Sequence, residues 1–257
     1  SEGLKFGELL ADLKLESFPL SLISSLMGTS LAGTVSVNGQ IRGPLSALTT
    51  NASIGFVNPQ ASGLRLQEEW RGEFLGLQGG GGSLKMSSVG ASVRGELSAS
   101  FSKKWLLDDL TIDRLGGHIS FERVNDYYSW KADAFRLDRV EVAIPPSNSF
   151  KRIFGQLSGN GRFGLSPFSI DGQIAMLFPR YMGLRLKEIR LDGGYLDDSY
   201  DVSGEISPPD KGKISLSATG RVGGELKARA EALGVSARWI TDTASQLPRL
   251  NIKATSA

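Results

Sequence analysis

Two adjacent pairs of carboxylates, Asp108-Asp109 and Asp197-Asp198, are the first candidates for chemistry. Glycoside hydrolysis needs two acids facing one substrate at a separation the fold sets. Neighbours on a strand point to opposite faces, so neither pair presents both groups together, and on a turn they are ordinary solvated residues. His118, the single histidine, follows Gly116-Gly117 and is the residue type of a general base. No serine in a G-x-S-x-G setting and no cysteine accompanies it, and a strand-edge histidine beside a turn accounts for it. The glycine run Gly79 to Gly82 lacks the G-x-x-x-x-G-K-[ST] pattern of a phosphate loop, and Ser83-Leu84-Lys85-Met86 alternates after it. Asn160-Gly161-Arg162-Phe163-Gly164 lacks the helix that a dinucleotide fingerprint requires. The residues therefore give no catalytic group, no metal site and no cofactor.

Composition narrows the classes further. The 257 residues carry 29 Lys+Arg against 27 Asp+Glu, and the basic clusters are pairs such as Lys103-Lys104 and Lys151-Arg152. No basic face of the kind that binds nucleic acid follows. Cysteine is absent, which excludes a disulfide scaffold and thiolate zinc sites. No apolar run reaches the roughly 18 residues of a transmembrane helix. The chain opens on Ser1 without a signal peptide, which we read as a piece of a longer protein.

The elements behind these residues alternate with period two. Val93, Leu97, Ala99 and Phe101 alternate with Arg94, Glu96, Ser98 and Ser100. The same alternation marks Leu84/Met86, Leu110/Ile112, Ile119/Phe121, Leu184/Leu186, Ile189/Leu191, Val202/Ile206 and Ile214/Leu216. Leu226 to Ala232 is read as strand on the alternation of its flanks, although its composition suits a helix. Gly79 to Gly82, Gly116-Gly117, Gly193-Gly194 and Pro208-Pro209-Asp210 read as turns between strands. The expected fold is mainly β, an antiparallel meander with one apolar face and few helices to cover it. Such a face must close into a barrel, pack on a second sheet, or curl around something apolar. Pattern alone favours the barrel or sandwich core.

A recurring block points the other way. Ser17 to Ile54 and Phe150 to Met176 share a short helical stretch, Leu-x-Gly, glycine-rich alternation, and a proline followed by an apolar residue. In the first copy Ser17 caps a helix to Met27, with Gly28 as its stop. In the second, barely a turn, Ser147 to Ser149, precedes Phe150. A third copy starts with Val235 to Trp239 and a short helix to Leu247, and Leu250, Ile252 and Ala254 open a new strand. The segments are 17–149, 150–234 and a truncated 235–257.

Leu31-Ala32-Gly33, Gly39-Gln40-Ile41-Arg42-Gly43-Pro44-Leu45 and Leu157-Ser158-Gly159 resemble the TamB family, within the AsmA-like superfamily. The resemblance implies a long curved antiparallel sheet, a taco-like half-pipe or open β-solenoid, with an apolar concave face. It implies a periplasmic protein, or one of the plastid intermembrane space, anchored in the inner membrane. The implied activity is non-enzymatic passage of phospholipid acyl chains between inner and outer membranes. An alternative within the same resemblance is a scaffold for outer-membrane barrel assembly with a BamA/TamA-type partner. A polysaccharide-acting β-solenoid enzyme is the alternative of another class. The expected groove residues are Val93, Leu97, Ala99, Phe101, Leu110, Ile112, Ile119, Phe121, Leu184, Leu186, Ile214 and Leu216.

Overall fold

Strict alternation produces strands, and the strands form one sheet. A computed structural model describes residues 8–24, 30–61, 63–90, 95–143, 149–165, 168–236 and 239. The strands are β1 (Leu9–Pro19), β2 (Leu31–Gly43), β3 (Thr49–Ala61), β4 (Leu64–Leu66), β5 (Glu69–Leu77) and β6 (Gly81–Val89). Then come β7 (Gly95–Phe101), β8 (Leu107–Arg114), β9 (Gly117–Val124), β10 (Tyr127–Arg136), β11 (Val140–Val142) and β12 (Lys151–Leu165). The last are β13 (Phe168–Tyr181), β14 (Leu184–Arg185), β15 (Glu188–Leu196), β16 (Ser199–Ser207), β17 (Lys213–Arg221) and β18 (Leu226–Leu233). Leu226 to Ala232 is thus strand, because pairing with β17 outweighs the helical preference of Ala and charged residues.

Every long pairing is antiparallel between neighbours in the chain, so register carries one face across the whole sheet. Leu15, Val37, Ile54, Gly72, Met86, Leu97, Ile112 and Ile119 stand opposite one another in turn. The row continues through Ala132, Gly159, Ile174, Leu191, Gly204, Leu216 and Ala230. One residue along, the opposite face reads Lys14, Asn38, Ser53, Glu73, Lys85, Ser98, Thr111 and Ser120. It continues Lys131, Asn160, Gln173, Asp192, Ser203, Ser217 and Arg229. No polar residue enters the first row and no apolar one the second.

The sheet also bends back on itself. At one end β4 pairs with β3 and with β11, and β11 pairs with β12. Strands β3, β5 to β10 and β12 therefore run round a ring whose end is bridged by β4 and β11. The strands β1–β2 and β13–β18 extend from it as arms. The bridge is fixed by Glu141, which accepts from Arg65 Nε at 2.6 Å and from the Gln67 side-chain amide. The Arg65 guanidinium also lies 4.5 Å from the Phe150 ring centroid.

Three sequence expectations are corrected. Ser17 to Pro19 belong to β1, so the helical stretch starts later than expected, as a 3-10 turn over Leu20–Ile23. The alternation of Leu13 and Leu15 carries on past Ser17, whose left-handed φ of 48° makes a bulge. Ser24 Oγ then both donates to Leu31 O and accepts from Leu31 N–H, tying the helical turn to the start of β2. Gly193-Gly194 is not a turn but the middle of β15. A Cβ at Gly193 would sit 2.3 Å from Asp201 O, so this glycine serves close strand approach. The turn lies at Asp197-Asp198, both at positive φ. The glycine run is divided: Gly79-Gly80 turns, while Gly81-Gly82 begins β6. The rest of the first helix, Ser147 and the helix and strand expected beyond residue 240 lie outside the described residues. The boundary at 149/150 falls between β11 and β12 of one continuous sheet.

Candidate functional site: the apolar face

Alternation and register bring nine of the twelve expected residues to one surface. Leu97, Ile112, Ile119 and Leu216 lie in the row that starts at Leu15. Ala99, Leu110 and Phe121 lie in the next row on the same face, with Phe74, Leu84 and Trp130. Phe101 and Ile214 sit two residues from Ala99 and Leu216 on their own strands and share the face. Leu184 pairs opposite Tyr181 near the bridged end. Leu186 falls beyond β14 and is buried, its N–H donating to Pro179 O. Val93 lies outside the described residues.

Curvature runs toward this face within the ring. Tyr128 of β10 reaches across β9 to donate to Leu107 O of β8 at 3.0 Å. Strands two apart in a flat sheet are separated by roughly 9.5 Å, more than a tyrosine side chain spans. Phe163 stacks on Tyr128 at 5.1 Å and meets Phe121 edge-on at 6.2 Å. Trp70, Met86, Ala99 and Ala132 are buried inside.

Trp130 extends the surface from the ring into the β12–β13 arm. A Cβ at Gly161 would lie 2.7 Å from Trp130 Nε1, and one at Gly172 would lie 3.1 Å from Cζ2. Glycine at these two positions lets the indole lie flat on the sheet. Beyond it the face is open. Ile170 is 42% exposed, Ile174 37% and Val202 36%. Among the described residues no apolar side chain falls below 2% exposure, so the sheet has little closed core.

Charge enters this face at Arg123, which stands opposite Tyr128 and pairs with Asp108, and at a second place that the alternation concealed. Arg114 follows Leu110 and Ile112 on the inward parity of β8, and its Nη2 donates to Glu68 Oε1 at 2.6 Å. The same guanidinium donates to the carbonyls of Arg136 and Asp138 at the β10–β11 joint. Among the described residues, Glu68 Oε2, Arg114 Nε and Trp70 Nε1 are buried without a hydrogen-bond partner. The group closes the bridged end of the ring. A lone Arg after two apolar alternates was its only sequence signal.

The residues weighed for catalysis are dispersed. Asp108 is paired with Arg123 at 2.6 Å, and Asp109 accepts from Ser100 Oγ. Asp198 accepts from the Tyr195 hydroxyl at 2.9 Å, which raises that phenol above its ordinary pKa. His118 Nδ1 faces Asp113 Oδ1 at 2.8 Å, and among the described residues no hydroxyl nucleophile is bonded to it. A hollow of about 730 Å3 on the polar face lies beside Gly194, between Arg162, Asp171, Asp201 and Arg221. Asp171 is paired there with Arg162 at 3.0 Å and raises that guanidinium's pKa. Among the described residues no three His, Asp or Glu side chains gather as a metal site, and no helix is long and apolar enough to cross a membrane.

No family model matches the chain, and neither a curated protein nor a solved structure matches it significantly.

Proposed function

We propose that this chain is a non-enzymatic segment whose apolar sheet face carries phospholipid acyl chains, as its resemblance to the TamB family implies. The observation that carries the reading is the unbroken apolar row from Leu15 to Ala230, with large residues left open to solvent along the arm. Each methylene laid on such a surface gains about 0.8 kcal/mol. Because the row never breaks, successive positions offer similar affinity, and a chain slides without meeting a deep trap. Head groups keep their water at the open side. In this reading the protein works in the periplasm, or the plastid intermembrane space, between two membranes, within a longer protein anchored in the inner one.

Native mass spectrometry tests the reading. Lipid should co-purify with the protein, and Phe121→Arg and Phe101→Glu should reduce its occupancy at least tenfold. Val202→Arg, at an exposed point of the same face, gives the same readout without disturbing the ring. An unaltered lipid load in all three variants contradicts the reading.

A second reading, a template for nascent outer-membrane barrel strands working with a BamA/TamA-type partner, is favoured by the sheet edges. Among the described residues β18 pairs with β17 alone and β1 with β2 alone. An unpaired edge can receive an added strand. Crosslinks from Arg229 to unfolded barrel substrates, without any to lipid, would favour it.

A further inference from the structure

We infer that the joined turns at 43–48, 77–80 and 102–106 form a docking tip for the surface of an anionic phospholipid bilayer. Hydrogen bonds fuse the three turns. Gln78 N–H donates to Leu48 O at 2.8 Å, and the Gln78 side chain holds Leu48 N–H and Leu45 O. Lys104 N–H donates to Gly79 O at 3.0 Å and Trp105 N–H to Gly80 O at 3.1 Å.

The tip projects both of the residue types that bilayer surfaces take up. Leu45 is 51% exposed, Leu77 47%, Trp105 51% and Leu106 45%. Arg42, Lys103 and Lys104 stand exposed beside them. No residue of 43–50, 75–84 or 100–107 is acidic. The next acid, Asp108, is bound to Arg123. Other turns of the same sheet end differ, with Asn125-Asp126 and Asp197-Asp198 at their tips. A cationic rim around Trp and Leu matches an interface of anionic head groups over acyl chains.

The backbone is shaped to present these side chains. Lys104 and Trp105 take successive left-handed φ values of 64° and 60°, unfavourable for both residue types. The turn is held there by its bonds to Gly79 and Gly80, and a Cβ at Gly80 would meet Lys104 N at 2.5 Å. The Trp105 ring stacks on Phe74 at 5.7 Å and meets Phe101 at 6.4 Å, so the indole is fixed while half of it faces outward. This inference adds a membrane contact to the lipid-carrying reading and does not depend on it.

Co-flotation of the protein with vesicles tests it, comparing phosphatidylcholine containing 30% phosphatidylglycerol with pure phosphatidylcholine. The protein should float with the anionic vesicles and be released by added salt. Lys103→Ala with Lys104→Ala should weaken anionic binding about thirtyfold and leave the weak binding to neutral vesicles unchanged. Trp105→Ser with Leu106→Ser should weaken both, with the unfolding midpoint measured alongside. The lysine variant alters only exposed side chains and keeps the test valid if the aromatic variant unfolds. No flotation by the unmodified protein, or equal flotation by the lysine variant, overturns the inference. Lipid occupancy by native mass spectrometry should survive in the lysine variant. Its loss together with flotation would point to the sheet face, not the tip, as the lipid contact.

Discussion

Arg114 and Glu68 meet at 2.6 Å inside the bridged end of the ring, with side chains 3% and 1% exposed. They come from β8 and from the residue before β5, which flat geometry would hold about 14 Å apart. Their contact therefore measures the curl of the sheet. Removing one partner strands a buried charge at a cost of about 3–5 kcal/mol. Arg114→Met or Glu68→Leu alone should lower the urea-unfolding free energy by that amount. The double replacement should recover most of it, because unpartnered Glu68 Oε2 and Arg114 Nε disappear together. Single variants within about 1 kcal/mol of the unmodified protein would show that the pair does not close the ring.

Glycines on this sheet divide by what surrounds them. Gly161→Ala places a Cβ 2.1 Å from Asp171 O and 2.7 Å from the Trp130 indole. A loss of about 1–3 kcal/mol is expected, with a change in tryptophan emission as Trp130 lifts off the sheet. Gly55→Ala meets nothing closer than 3.8 Å. It should be neutral or stabilise by about 0.4–1 kcal/mol. Equal effects at the two sites would contradict the close packing of Trp130.

The Tyr195–Asp198 hydrogen bond makes a prediction about pH. Asp198 favours the neutral phenol, so the folded-state pKa lies above the ordinary value of 10.0. For a raised pKa the stabilisation is fully present below the unfolded value and is lost as pH rises through the folded one. It should thus be intact at neutral pH and disappear only above pH 10. NMR titration of ring-labelled Tyr195 should show a midpoint above that of free tyrosine. Asp198→Asn should bring the midpoint down, and an unchanged midpoint would mean that the bond does not form in solution.

How much was legible in the sequence follows from which forces act locally. The faces of the sheet were readable because period-two alternation fixes them: Leu97, Ile112, Ile119 and Leu216 fall on one row without exception. The ring was not, because its bridge rests on two strands of three residues, β4 and β11, too short to leave a periodic signal. The Arg114–Glu68 pair left no local signal, since the two residues lie 46 positions apart. Gly193-Gly194 misled because glycine serves both turns and close strand approach, and only the strand opposite decides between them. The helix start expected at Ser17 failed for a similar reason: pairing of Phe18 with Val35 drew Ser17 to Pro19 into β1.

The central claim is that acyl chains lie along the row from Leu15 to Ala230, and site-specific photocrosslinking tests it most directly. A benzophenone amino acid is placed at Leu191, on the apolar row, and in a second protein at Asp192, its neighbour on the polar row. Each protein is irradiated in the presence of radiolabelled phosphatidylethanolamine. Label at position 191 and none at 192 is the predicted result. Label confined to 192, or absent from both while the protein remains folded, would contradict the account.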